Sequence, residues 1–164
     1  MRNLGHPFGA SNVAECRLQQ IRVTVLKDGI EIGSDVLASV GCRMVDLDTL
    51  FSASDFITLH VPLSPETRGF VDSRRLSLMK TSSYIVNASR GEVIDEAALV
   101  KALREGTIAG AALDVFGTEP PSSELLSAPN LIATPHVAGQ TSDSMRMAIT
   151  VTGTKIIQFF ERRQ

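Results

Sequence analysis

The sequence predicts an α/β fold: a parallel sheet with crossover helices. Two observations predict it. From about residue 55 onward, short apolar runs alternate with stretches of helical periodicity. The runs themselves are continuously apolar, which is how strands buried on both faces read. Open sheets of this kind bind ligands at the carboxyl ends of their strands, so polar residues just past each run become the candidates for function.

Taken in order, residues 1–20 gather Gly5, Pro7, Gly9, Ser11 and Asn12 without periodicity, and a loose leader is expected there. The stretch 21–26 (I-R-V-T-V-L) reads as a strand stopped by Asp28-Gly29, and 35–40 as a short helix closed by Gly41. A strand over 55–61 ends at Pro62, and a short helix over 72–79 starts behind Asp72. A strand over 83–88 is followed by the clearest helix, 95–105, acidic at its start, basic at its end and stopped by Gly106. Asp95 and Glu96 need only the helix dipole to explain them. Strands are expected over 108–116 and 131–134, the latter ended by Pro135. The run 142–163 places Met145, Ala148, Ile149, Ile156, Ile157 and Phe160 at mostly helical spacings, one long terminal helix under strain at Thr150, Thr152 and Gly153. Met145 and Met147 read as core or interface packing.

A chain of 164 residues that is 43% hydrophobic and 21% charged is expected to fold as one ordered domain. Sixteen basic against eighteen acidic side chains give a net charge of -2, which argues against nucleic acid as a partner. Cys16 and Cys42 have no metal-ligand spacing and read as reduced thiols, so no metal site is expected. No run reaches the ~18–20 apolar residues of a membrane span, and the first twenty lack a secretory core. No membrane partner and a cytoplasmic address are therefore expected. Arg2, Arg17 and the absence of acids before Glu15 leave an organellar leader as the alternative, against which Gly5, Pro7 and Gly9 count.

The polar residues past the strand ends are His60 with Thr67, Asn87 with Ser89 and Arg90, Asp114 with Glu119, and His136. Each alone has a plain structural explanation: a solvated turn arginine, a loop acid, a capping aspartate, a structural histidine. Together they sit in four segments: H-V-P-L-S-P-E-T-R-G-F (60–70), N-A-S-R-G-E-V-I-D-E-A-A-L (87–99), G-A-A-L-D-V-F-G-T-E-P (110–120) and T-P-H-V-A-G-Q-T (134–141). In this order and spacing, over roughly 35–145, they resemble the D-isomer-specific 2-hydroxyacid dehydrogenases.

The resemblance implies an oxidoreductase acting on the CH-OH group of a 2-hydroxy acid, or on a 2-oxo acid in reverse, with NAD or NADP as hydride carrier. It implies Arg90, Glu119 and His136 as the catalytic set. The chemistry suits them. A guanidinium grips a 2-oxo acid through a fixed fork of donors. An imidazole exchanges a proton near neutral pH, and a carboxylate against its other nitrogen fixes the tautomer and favours the protonated donor. Val61, Pro62, Thr67, Ala88, Ser89, Arg90, Asp114, His136 and Gly139 would line the nicotinamide half of the cofactor, with Asp114 touching the carboxamide or ribose. Gly139 would permit close backbone approach. A small 2-hydroxy or 2-oxo acid is the implied partner, and a homodimer is expected.

Against the family's pattern, no strand, G-x-G-x-x-G turn and helix appear in register here: Gly5 and Gly9 are wrongly spaced, and Gly29 and Gly33 lack the central glycine. The stretch 21–26 could be the family's second strand, with Asp28 or Lys27 near the ribose-binding acid. The expected organisation is a leader over 1–20, a partial NAD-binding domain over 21–145 and a C-terminal helix over 146–164. The fold is then a partial Rossmann-type sheet, without the first strand, Gly-loop and helix and without most of a substrate domain. The chain reads as a truncated catalytic half. The alternatives are an inactive fragment serving as a protein-interaction module, invited by an unmatched sheet edge, and a longer chain of which this is a part.

Overall fold

In the computed structural model, residues 13–18, 21–27 and 42–161 are described. Seven strands form one sheet in the order β3-β1-β2-β4-β5-β6-β7. These are β1 (Val13–Leu18), β2 (Ile21–Lys27), β3 (Cys42–Met44), β4 (Phe56–His60), β5 (Tyr84–Asn87), β6 (Gly110–Leu113) and β7 (Leu131–Ala133). The helices are α1 (Leu47–Ala53), α2 (Ser73–Leu78), α3 (Glu96–Arg104), α4 (Ser123–Leu126) and α5 (Ser142–Glu161). β2, β4, β5, β6 and β7 run parallel, as the alternating pattern predicts.

The amino-terminal part departs from expectation. Val13–Leu18, read from sequence as loose leader, is a strand paired antiparallel with β2 and with β3. Its register sets the backbone of Cys16 opposite Cys42, a neighbourhood that sequence spacing could not reveal. β2 pairs directly with β4, Lys27 opposite His60. In the usual order of such sheets that place belongs to the first strand, not the second. The edge of β4 is therefore occupied rather than open, which overturns the unmatched edge expected from the sequence. The physical reason is that a bare β4 edge would leave a row of backbone donors and acceptors unpaired. The short helix expected over 35–40, Asp28 and residues 1–12 lie outside the described residues.

The starts of α2 and α3 were written in the sequence, and the same capping recurs at α1 and α4. Asp46, Asp72, Asp95 and Ser122 each accept a backbone N–H three residues on, from Thr49, Arg75, Ala98 and Leu125 at 2.8–3.2 Å. Gly106, at φ +66°, closes α3 in the left-handed conformation that a side chain disfavours. α1 and α4 were not foreseen. Both are only two turns or less, too short for periodicity to register.

Ile57 and Leu59 of β4, Ile85 of β5, Leu76 of α2, Leu99 of α3 and Leu125 of α4 are fully buried in one core with Leu50 and Phe51 of α1. Each stabilises the fold by about 1.5–3 kcal/mol through burial. α3 turns Leu99, Val100, Ala102 and Leu103 into this core. α5 is the reverse: Met145, Ile149 and Ile157 are 58–71% exposed. It runs unbroken from Ser142 to Glu161, with Thr150 and Thr154 returning their hydroxyls to the carbonyls of Arg146 and Thr150, both at 2.9 Å. No helix among the described residues is long and apolar enough to cross a membrane.

Candidate active site

At the end of β5, Asn87 is buried and its carboxamide organises the next three residues. Oδ1 accepts from the Ser89 amide (3.0 Å) and hydroxyl (2.8 Å), and Nδ2 donates to the Arg90 carbonyl (2.9 Å). The turn Ala88-Ser89-Arg90 is thus wound around Asn87. Ala88 and Arg90 are exposed on it and Ser89 is buried within it. The Arg90 guanidinium donates to the Ser89 carbonyl at 2.6 Å. Behind it, Gly91 is buried so closely against Phe116 that any Cβ would overlap the Phe116 carbonyl and the Gly117 amide.

The loop after β4 follows the same division. Thr67 is 1% exposed, donates its hydroxyl to the Pro62 carbonyl and accepts from the Ser64 amide, both at 2.7 Å. It shapes the loop from inside, with Val61 also buried and Pro62 at the surface. His60 is exposed, with Nε2 2.9 Å from the Thr58 hydroxyl.

Past β6 and β7 the chain turns back through Asp114. Its carboxylate, 6% exposed, accepts from the Thr134 hydroxyl (2.5 Å) and from the amides of Val137 (2.8 Å) and Ala138 (2.9 Å). Burial pushes this carboxyl up; the Thr134, Ala138 and Val137 hydrogen bonds, helped by the nearby His136, outweigh it and hold it below the ordinary value of 3.8. The three bonds brace a loop in which His136 takes φ +55°, a left-handed conformation costing roughly 1–2 kcal/mol that the surrounding bonds must hold.

His136 Nδ1 lies 3.9 Å from Glu119 Oε1, both side chains being 63% exposed. That separation is an ion-pair approach rather than a hydrogen bond. The two flank a hollow of about 350 Å³, walled by Phe116, Pro120, Leu126 and Pro135. Arg90 is not on this wall. The structure brings two members of the expected catalytic set to one hollow and seats the third on the adjoining turn, joined through the Gly91–Phe116 contact. Gly139 stands in the open: a Cβ there would meet nothing within 4 Å. Among the described residues no cluster suits a metal ion.

Of the positions expected to line a cofactor, Pro62, Ala88, Arg90, His136 and Gly139 are exposed, while Val61, Thr67, Ser89 and Asp114 are buried. The buried hydroxyls and carboxylate are spent on the loops themselves. Sequence reading passed over two residues. Asn87, flagged at its strand end but left out of the site, had a local signal, since asparagine is a turn former through its side chain. Glu96 had none, because its partner, the Gly117 amide at 2.7 Å, is distant in sequence.

Five parallel strands with polar turns past the ends of neighbouring strands place the chain in the Rossmann-like α/β class, whose open sheets bind ligands at those ends. The comparisons with known proteins are narrower. The family described as D-isomer specific 2-hydroxyacid dehydrogenase, NAD binding domain, matches residues 10–138, and the chain belongs to that family. It is 45% identical over 127 residues to D-3-phosphoglycerate dehydrogenase of Methanocaldococcus jannaschii, covering 76% of this chain and 24% of that protein. To glyoxylate reductase of Thermofilum pendens it is 44% identical over 136 residues, covering 80% and 40%. Among solved structures, the D-isomer specific 2-hydroxyacid dehydrogenase of Lactobacillus delbrueckii ssp. bulgaricus, in its NAD complexed form, superposes with a TM-score of 0.70 at 30% identity, over 84% of this chain and 45% of that one. The chain thus spans about a quarter to two fifths of the length of these curated relatives.

Proposed function

We propose that this chain carries the nicotinamide-side half of an NAD(P)-dependent 2-hydroxyacid dehydrogenase. The observation that carries the reading is the approach of Glu119 to His136 Nδ1 at the mouth of the Phe116–Pro135 hollow. With the carboxylate on the Nδ1 side, the other ring nitrogen has no protein partner among the described residues and is available to give a proton to a 2-oxo group or take one from a 2-hydroxyl. Arg90, exposed on a rigid turn, offers its guanidinium to the substrate carboxylate. Asp114 fixes the backbone that presents His136, and Thr67 and Asn87 fix the neighbouring loops.

The dinucleotide, when bound, supplies or accepts the hydride that no side chain can provide. The space at Gly139, where a Cβ would meet nothing within 4 Å, and the exposure of Pro62, Ala88 and Arg90 are compatible with it. In the reducing direction, a 2-oxo acid, a hydride and one proton from His136 give the 2-hydroxy acid. Glyoxylate and hydroxypyruvate are the trial substrates, after the relatives named for them.

The test is to mix the chain with NADH and either acid and follow loss of nicotinamide absorbance. Turnover falling at least about 10²-fold in His136→Ala is expected. No turnover, or equal turnover in the variant, ends the enzymatic reading for this chain. A cytoplasmic setting and a homodimer belong to the same reading. A second reading, a protein-interaction module, is favoured by the exposed Met145, Ile149 and Ile156 of α5. Calorimetric titration separates them, because saturable micromolar NADH binding argues against a pure scaffold.

A further inference from the structure

We propose that Glu96 is a positioning residue for Glu119, clamping the loop that carries Glu119 onto the first turn of α3. The proposal rests on the reading of Arg90, Glu119 and His136 as the reacting groups. An acid at a helix start ordinarily needs no further explanation. Here the capping work is already done by Asp95, whose carboxylate accepts from the Ala98 amide at 3.1 Å. Glu96, half-buried, instead directs Oε1 away from α3 to the Gly117 amide at 2.7 Å, 21 residues along the chain. Gly117 stands two residues before Glu119.

Two other contacts show what this bond completes. The Asp114 amide donates to the Asn87 carbonyl at 2.9 Å, holding the strand ends of β5 and β6 together. Gly91 closes against the Phe116 carbonyl with no room for a side chain. The stretch from Asn87 to Glu96 and the stretch from Asp114 to Gly117 are therefore joined at three successive points, and Glu96 is the last and the one made by a side chain. Beyond it the chain from Gly117 to Pro120 is exposed, and among the described residues Glu119 has only its 3.9 Å approach to His136. A carboxylate on a backbone N–H is a short, charge-assisted bond. Without it, a glycine at the root of an exposed loop regains the freedom that places Glu119 at varying distances from His136.

Three substitutions separate a clamp from a mere helix charge. Glu96→Asp keeps the charge in the first turn but withdraws the carboxylate by one methylene; Glu96→Gln keeps an acceptor at full reach without the charge; Glu96→Ala removes both. By NMR, amide exchange at Gly117 should rise about tenfold or more in the Asp and Ala variants and stay within about threefold of wild type in Gln. At one fixed pH, the His136 imidazole resonances, assigned by their loss in His136→Gln, should move in the Asp and Ala variants in the direction that Glu119→Gln moves them, and hold still in Glu96→Gln. Where Glu96→Ala fails to fold, Glu96→Asp serves.

The reverse order, Asp silent and Gln perturbed, reduces Glu96 to a helix charge and overturns the proposal. So do stationary His136 resonances in the Asp and Ala variants alongside raised Gly117 exchange, and so do stationary resonances in Glu119→Gln. Neither readout needs turnover. An inactive wild type would end the enzymatic reading and leave Glu96 to be decided by the resonances, while an active wild type with stationary resonances would end the Glu96 proposal alone.

Discussion

The stretch from β4 to α4 and the stretch after β7 present their functional residues by different means. In the first, Arg90 sits on a turn wound around a buried asparagine and closed by Gly91 against Phe116, above a core that includes Ile57, Ile85, Leu99 and Leu125 at 0% exposure. In the second, no described residue from Ile132 to Phe159 is buried. His136 is kept in place from outside its own segment, by Asp114 at the end of β6. One region winds its turn around a buried asparagine of its own strand above a packed core, the other relies on three hydrogen bonds to a single carboxylate from a neighbouring strand end. The lesson is that exposure of a proton-transfer group need not mean a loose one, provided that one buried polar residue reaches its backbone.

The comparison can be broken most heavily in the packed region. Leu99→Ala leaves a hole beneath α3 and should lower the stability measured by urea unfolding by about 2–5 kcal/mol. A loss below 1 kcal/mol would mean that the core does not carry this half. Next comes Asp114→Ala, which strands the Val137 and Ala138 amides and should cost about 1–3 kcal/mol. Its loss should appear as faster amide exchange confined to 134–138, with β4 and β5 unchanged; exchange spreading to the sheet would show that Asp114 serves the core instead.

Acid titration sharpens the same point. The Asp114 carboxyl lies lower in the folded chain than its ordinary 3.8, so its contribution is present above that pH and is lost as pH falls through the depressed folded value. The Val137 and Ala138 amide resonances should show a step as pH falls through that range, and Asp114→Asn should abolish this acid step. The smallest effect belongs to α5. Ile149→Ser, at a position 71% exposed, should change stability by no more than about 0.5 kcal/mol. A larger loss that depends on protein concentration would reveal a second copy covering that face.

Much of the packed region was legible in the sequence because its signals are local. Asp72 and Asp95 announce helix starts, Gly106 a helix end, and the apolar runs the strands β4, β5 and β6, although β4 and β5 bury alternate residues on one face rather than both faces as expected, Phe56 and Tyr84 being exposed. The motif segments also placed Arg90, Asp114, Glu119 and His136 at strand ends, where the structure has them. What was not legible is pairing between distant stretches. The strand at Val13–Leu18 was hidden in a segment with glycine and proline upstream, and the adjacency of β2 to β4 follows from the need to satisfy a sheet edge, which no window of sequence contains. Asp114 shows the same limit within the site. Its position could be read, but its use could not, since its partners Thr134, Val137 and Ala138 come close only when β6 and β7 lie side by side.

By itself, then, the sequence determined the periodicities, the caps and the set of polar residues that follow the strands, because each depends on neighbours a few positions away. The tertiary structure alone decided which of those residues are spent on holding loops and which face outward, and that two of the three proposed reacting groups share a hollow while Arg90 stands beside it. The reason is that burial and hydrogen-bond partnership are properties of the packed chain, fixed only when strands far apart in sequence meet.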